Sequence, residues 1–176
     1  AARCYAHTLP GCSEEQWEPL EKHLCNVAKL SSAFAAIFGA KDWGHLAGLW
    51  HDLGKYSAAF QEYIREPRDE SGASSRRKGP DHATAGAKQA SIIFPGPRGR
   101  LLAYCIAGHH AGLPDAEDTQ GGRSSLASRL TKQIHSIEAA PNELLEALPP
   151  QLPAFDWGKK NSECSFRASV FCRMLF

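Results

Sequence analysis

The sequence has no long apolar run. Its longest hydrophobic stretches fall far short of the roughly 20 residues needed to span a bilayer, so no transmembrane helix is expected. No N-terminal segment has the basic, apolar, small-residue order of a secretory signal. Neither sign of charge dominates: 20 Lys and Arg stand against 19 Asp and Glu, a net +1. Contact with a polyanion must therefore come from a local patch, not from the overall field. The 6 cysteines include no CxxC and no tight pairs, which excludes a zinc ribbon. Almost nothing alternates with period two, which argues against sheets. There is no internal repeat and no GxxxxGK[ST] phosphate loop. The only Met is Met174, so the chain reads as processed or as a fragment.

What is present is ordinary for a cytoplasmic globular domain. The 176 residues contain 43% hydrophobic and 22% charged side chains, enough for one core, and residues 1–176 are expected to form a single domain. Cys4, Cys25, Cys105 and Cys172 lie in apolar or helical surroundings and read as reduced core residues.

Apolar periodicity places a long helix over Trp17–Phe38, with Leu20, Leu24, Val27, Leu30, Phe34 and Ile37 on its core face and Gly39 at its end. A second helix is expected over Asp42–Asp52, with Trp43 and Trp50 in the core, and a short one over Ser57–Arg65. The polar stretch Glu66–Pro80 reads as a loop. Asp81 looks like the N-cap of a helix reaching Phe94, Pro95–Gly99 like a turn, and Leu101–His110 like a very apolar helix. A further helix is expected near Ser124–Glu138. Pro149–Pro153 then breaks the chain before a last helix that is still running, with no stop signal, at Phe176. The expected fold class is all-α.

The 8 histidines carry the functional signal. His23 sits inside the first helix, His51-Asp52 ends the second, His82 opens another, and His109-His110 ends a fourth. His82 and His109-His110 lie beside Ala or Gly, and Gly48 and Gly54 flank His51-Asp52 within one turn; small residues let helix backbones approach and leave room for a ligand. Adjacent helical residues point about 100° apart. At a helix end, such a doublet can hold two neighbouring ions, with Asp52 as the bridge. Imidazole nitrogen with carboxylate oxygen suits Mn, Fe, Co, Ni and Zn. Two ions about 3.5–4 Å apart are a standard device for phosphoester hydrolysis. His45 and His135 read as solvated positions. Lys55 is either solvated or a phosphate contact. The cations of Ser74–Gly79, including Arg76 and Arg77, could steer a polyanion, as could Arg123, Arg129 and Lys132 with less force.

His23, "HDLGK" (His51–Lys55), "DHATAGA" (Asp81–Ala87) and "GHHAGLPD" (Gly108–Asp115), with "YAHT" (Tyr5–Thr8) in front, resemble the HD-type nuclease domain of the CRISPR-associated helicase–nuclease of type I systems. The likeness runs from about Tyr5 to Leu130 and includes "FRASVFCRMLF" (Phe166–Phe176). It implies an HD-domain helical bundle that cleaves single-stranded DNA in CRISPR interference. The implied partners are a surveillance complex and a superfamily 2 helicase, fused or separate. The implied cofactors are up to two ions of Mn, Ni, Co or Fe, with Mg and Zn as alternatives. By the same resemblance His23, His51 and Asp52 hold one ion, and Asp52, His82, His109 and His110 the other. Asp52 and Lys55 are the catalytic candidates; His7, Lys55, Arg76 and Arg77 are substrate contacts. The family pattern closes with an Asp on the last helix, which this chain does not reach. The His23 side is therefore expected to be one carboxylate short, with one ion bound tightly. Two rival functions remain: an HD phosphohydrolase acting on nucleotides, and a degenerate HD module that binds nucleic acid without cutting it.

Overall fold

Small residues decide how the first two helices meet. α1 (Leu20–Ala36) and α2 (Lys41–Trp50) form the most extensive helix pair of the molecule. On α1 the buried positions are Leu20, Leu24, Ala28, Ser32 and Ala35, a stripe at three- and four-residue spacing. Against it α2 presents Gly44 and Gly48. A Cβ at Gly48 would stand 2.8 Å from Ala28 Cα, so the two backbones are nearly in contact. The computed structural model describes residues 3–66, 79–117, 125–154 and 156–176.

This seam corrects the expected face of α1. Leu30, Phe34 and Ile37 are exposed, by 59%, 68% and 86%. At about 100° per residue they lie roughly opposite Ala28. The large apolar residues also repeat with helical period, but the close approach of α2 requires the small-residue stripe. The start of α1 differs as well. Glu18–Pro19 (β2) pairs antiparallel with Tyr5–His7 (β1), so Trp17–Pro19 is not helical. Pro19 disfavours helical backbone at Glu18, which frees that residue for the strand.

The core is built around two tryptophans. Trp43 and Trp50 are fully buried, as expected from their spacing, and each indole N–H donates at 2.7 Å to a carbonyl, of Gln151 and Leu144 respectively. A short 3-10 turn, Leu53–Tyr56, leads into α3 (Ala58–Arg65), which is capped by Ser57. α4 (Ala83–Ile93) packs on α5 (Pro97–Gly108). Asp81 does cap α4: its carboxylate accepts from the Thr84 N–H at 3.1 Å. α5 begins earlier than expected, because Pro97 is already in its first turn, where a missing N–H costs nothing. α6 (Leu126–Thr131) is shorter than expected. The backbone turns extended at Lys132, and Ile134 and Ile137 reach the core from outside a helix. α7 (Asn142–Leu145), which the sequence pattern does not reveal, supplies the carbonyl for Trp50. α8 (Asn161–Leu175) docks through Phe171, which stacks edge-on against Trp43 at 5.1 Å. Cys105 and Cys172 are buried without a disulfide. Among the described residues the fold is all-α apart from the three-residue and two-residue strands. Among the described residues no helix is long and apolar enough to cross a membrane.

Candidate metal centre

A helix C-terminus leaves its last carbonyls without intrahelical partners. Two of the site's histidines use them. His51, just past α2, places Nδ1 2.7 Å from the Gly48 carbonyl, and His109, just past α5, places Nδ1 2.7 Å from the Ile106 carbonyl. His82 Nδ1 lies 3.2 Å from the Pro80 carbonyl, and His23 Nδ1 3.1 Å from a carboxylate oxygen of Glu18. Carbonyls and carboxylates only accept, so Nδ1 is the donor in each of these contacts and Nε2 faces inward. Outer contacts of this type orient imidazole ligands.

The four Nε2 atoms converge on Asp52. Its Oδ2 lies 3.1 Å from His51 Nε2 and 3.5 Å from His23 Nε2. Its Oδ1 lies 3.3 Å from His109 Nε2 and 3.5 Å from His82 Nε2. Each carboxylate oxygen thus faces its own pair of rings. His110 joins the Oδ1 side, with Nε2 2.6 Å from that of His82. His23 and His51 bring their Nε2 atoms within 3.3 Å of each other. Donors about 2.0–2.1 Å from a shared ion lie about 2.9–3.4 Å apart in tetrahedral or octahedral geometry; the 3.1 Å and the two 3.3 Å separations fall in that range, and the two at 3.5 Å lie just beyond it. Two atoms at the centre, Asp52 Oδ1 and His109 Nε2, are buried without an aligned hydrogen-bond partner among the described residues. Two such polar atoms aimed at one another fit a cation between them. The residues fit a divalent ion on either side of Asp52. Asp52, His82, His109 and His110 form one donor set, His23, His51 and Asp52 another.

The electrostatics agree with this arrangement. Burial alone would raise the Asp52 carboxyl, but His109, His23 and His51 around it outweigh that and hold it far below the usual carboxylate range. His82 is shifted down, chiefly by burial. Burial, then the neighbouring His109 and His82, pushes His110 down to about 4. Both rings stay neutral, as ligands must. Lys55 is the local countercharge. It is buried, with Nζ 2.7 Å from Asp52 Oδ2 and 3.2 Å from the Ala6 carbonyl.

A family model described as Cas3, HD domain matches residues 10–172. The chain belongs to the Cas3 HD-domain family. That is a CRISPR-associated family of HD nucleases, and the described residues include a His/Asp cluster able to hold a metal. No curated protein matches the chain closely enough to count as a relative.

In this Cas3 HD-family chain, His23, His51, Asp52, His82, His109 and His110 come together from α1, the turn after α2, and the α4 and α5 ends. His7 stands at the exposed edge, its ring 4.9 Å from that of His23. His45 and His135 are exposed. Arg76, Arg77 and Arg123 lie outside the described residues. Sequence reasoning missed Glu18. The β1–β2 register sets it opposite His7 and carries its carboxylate to His23, and His7, Glu18 and His23 form a third donor group. Only the spacing of five residues before His23 hinted at it, and that spacing means nothing until the strand pair is known.

Proposed function

We propose that the chain is a metal-dependent nuclease that cuts single-stranded DNA during type I CRISPR interference. The observation that carries this reading is the set of imidazole nitrogens converging on the two oxygens of Asp52. Family membership supports the interference role and, with it, a surveillance complex and a superfamily 2 helicase as partners.

Asp52, with one oxygen toward His23 and His51 and the other toward His82 and His109, would be the ligand shared by the two donor sets. Divalent ions held there would supply Lewis acidity and charge neutralisation for phosphodiester hydrolysis; Mn, Ni, Co, Fe and Zn suit the mixed donors, and Mg suits the carboxylate more than the imidazoles. Imidazole ligands would add no negative charge, so a phosphate would meet net positive potential. Lys55 acts through Asp52: its ammonium fixes the carboxylate rotamer and balances its charge. His7 at the rim is a substrate contact. Cations read phosphate, not base edges, so cleavage shows little base preference. The donors sit among helix ends, where a flexible strand reaches more readily than a stiff duplex.

The test is cleavage of circular single-stranded DNA, matched duplex, and a panel of nucleotides in Mn, Ni, Co, Fe, Mg or Zn. Nicking of the circle, faster than of duplex, is expected. Release of phosphate from nucleotides with the circle left intact would instead identify a nucleotide phosphohydrolase. Binding without any hydrolysis would identify a degenerate module.

A further inference from the structure

A cavity of about 620 Å³ opens beside the His82 and His110 rings, a volume suited to one nucleotide unit and more. Its wall near the rings is apolar and aromatic: Tyr63, Pro80, Ala83, Ala107 and Ala111. The cavity is also lined by two cations from α6 and the residue after it, Arg129 and Lys132. Arg129 donates from Nη1 to the Ala107 carbonyl at 2.9 Å, which fixes the guanidinium against the end of α5. Its Nε is buried and has no hydrogen-bond partner among the described residues. Lys132 is 54% exposed and held at 2.8 Å by one oxygen of Asp81, which also accepts from the Thr84 hydroxyl. Asp81 thus does two things: it caps α4 and occupies Lys132.

We propose that this cavity is the seat of the nucleotide next to the scissile phosphate, with Arg129 and Lys132 binding the neighbouring backbone phosphate and Asp81 competing with that phosphate for Lys132. The proposal rests on the nuclease reading above and extends it to the strand's path. The cavity shares His82 and His110 with the candidate metal centre, so a strand whose phosphate sits at Asp52 has its next unit within reach of these cations. Apart from the Tyr63 hydroxyl, this wall offers the nucleoside apolar contact, which fits binding that is largely indifferent to sequence. The Asp81–Lys132 pair is exposed and so worth little, which makes it cheap to open when a phosphate arrives. The ligand is therefore a nucleoside phosphate chain; a strand and a free mononucleotide share that chemistry and are separated in the test.

The test uses the 176-residue chain in chelator, with the anisotropy of a fluorescein-labelled ten-residue oligodeoxythymidylate as the readout and thymidine monophosphate as competitor. Asp81→Asn keeps an N-cap acceptor but releases Lys132, and is expected to tighten binding about threefold or more. Lys132→Ala is expected to weaken it by a similar factor and to lower the salt slope by about one. Arg129→Ala weakens it further, with Arg129→Lys only partly restoring it. Asp42→Asn, the same charge change at the exposed start of α2, stays within about twofold of wild type. Manganese affinity by calorimetry and thermal melts show that Asp81→Asn and Lys132→Ala leave the metal centre and fold intact. Equal binding by wild type, Asp81→Asn and Lys132→Ala overturns the proposal, and does so alone if the wild type still nicks circular DNA. Displacement by the mononucleotide at the strand's own concentration also overturns it, in favour of a free nucleotide. A wild type that neither binds nor nicks single strands removes the nuclease reading itself.

Discussion

The backbone N–H of Gly54 donates to the carbonyl of His82 at 3.2 Å, and this bond ties the turn after Asp52 to the start of α4. It joins the two donor groups: His51 and Asp52 arrive on one side of it, His82 on the other. A Cβ at position 54 would run into the His82 backbone. Gly54→Ala is therefore expected to push α4 away, at a cost of about 1–3 kcal/mol for overpacking. For a chain of this length that is a loss of roughly 2–10 °C in Tm. Manganese affinity falls with it. Melting curves and calorimetry on the variant check both, and a variant with normal Tm and normal metal binding would show that the close approach is dispensable.

Glu18 holds the proton-bearing nitrogen of His23 at 3.1 Å. Replacing such an outer carboxylate typically lowers metal affinity about 10–100-fold. Glu18→Ala should fall in that range, and Glu18→Gln, which keeps an acceptor but loses the charge, should fall less. The loss is expected in the weaker of two binding events, since His23 belongs to the donor set with three residues rather than four. Equal affinities for Glu18→Ala and wild type in both events would assign Glu18 to the strand alone.

The histidine doublets were legible because rare chemistry recurs at helix ends, where a sequence pattern can place it. Asp81 was legible as a cap for the same reason. Glu18 was not, because its partner is set by a two-residue strand that has no periodicity to detect. The face of α1 was misread because Leu30, Phe34 and Ile37 repeat as well as the true seam does. Periodicity reports that a face exists; the glycines of the neighbouring helix choose which one is buried. α7, four residues long, is held by a carbonyl for Trp50, a relation visible only in three dimensions.

Acid should weaken the metal-free protein in a defined window. The His110 pKa is pushed from 6.5 down to about 4 by burial, and His82 is lowered too. The unfolded chain then binds protons near pH 6.5 that the folded chain refuses until about pH 4. The stability associated with these rings is complete above that window and is lost as pH falls through it. Urea melts between pH 8 and pH 4, in chelator, should show a declining midpoint. His110→Gln should flatten the decline; an unchanged pH profile in that variant would mean that the ring is not held neutral.

Lys55 and Asp52 form a buried pair at 2.7 Å. Removing the ammonium leaves a buried carboxylate without its countercharge, so Lys55→Met should destabilise the metal-free protein by up to about 3–5 kcal/mol. A divalent cation replaces the lost charge. Manganese is accordingly expected to raise the Tm of Lys55→Met by more than it raises that of wild type. A smaller rise than in wild type would place the main work of Lys55 away from Asp52.

The most direct test of the metal centre is a calorimetric titration of manganese into the wild-type chain and into Asp52→Asn, with circular dichroism to establish that both are folded. Four donors on the His82, His109 and His110 side and three on the His23 and His51 side, counting Asp52 in each, lead to one tight ion and one weaker ion in wild type. Loss of the tight event in folded Asp52→Asn is the expected result. Undiminished tight binding in that variant, or no saturable binding in wild type, would contradict a centre built on Asp52.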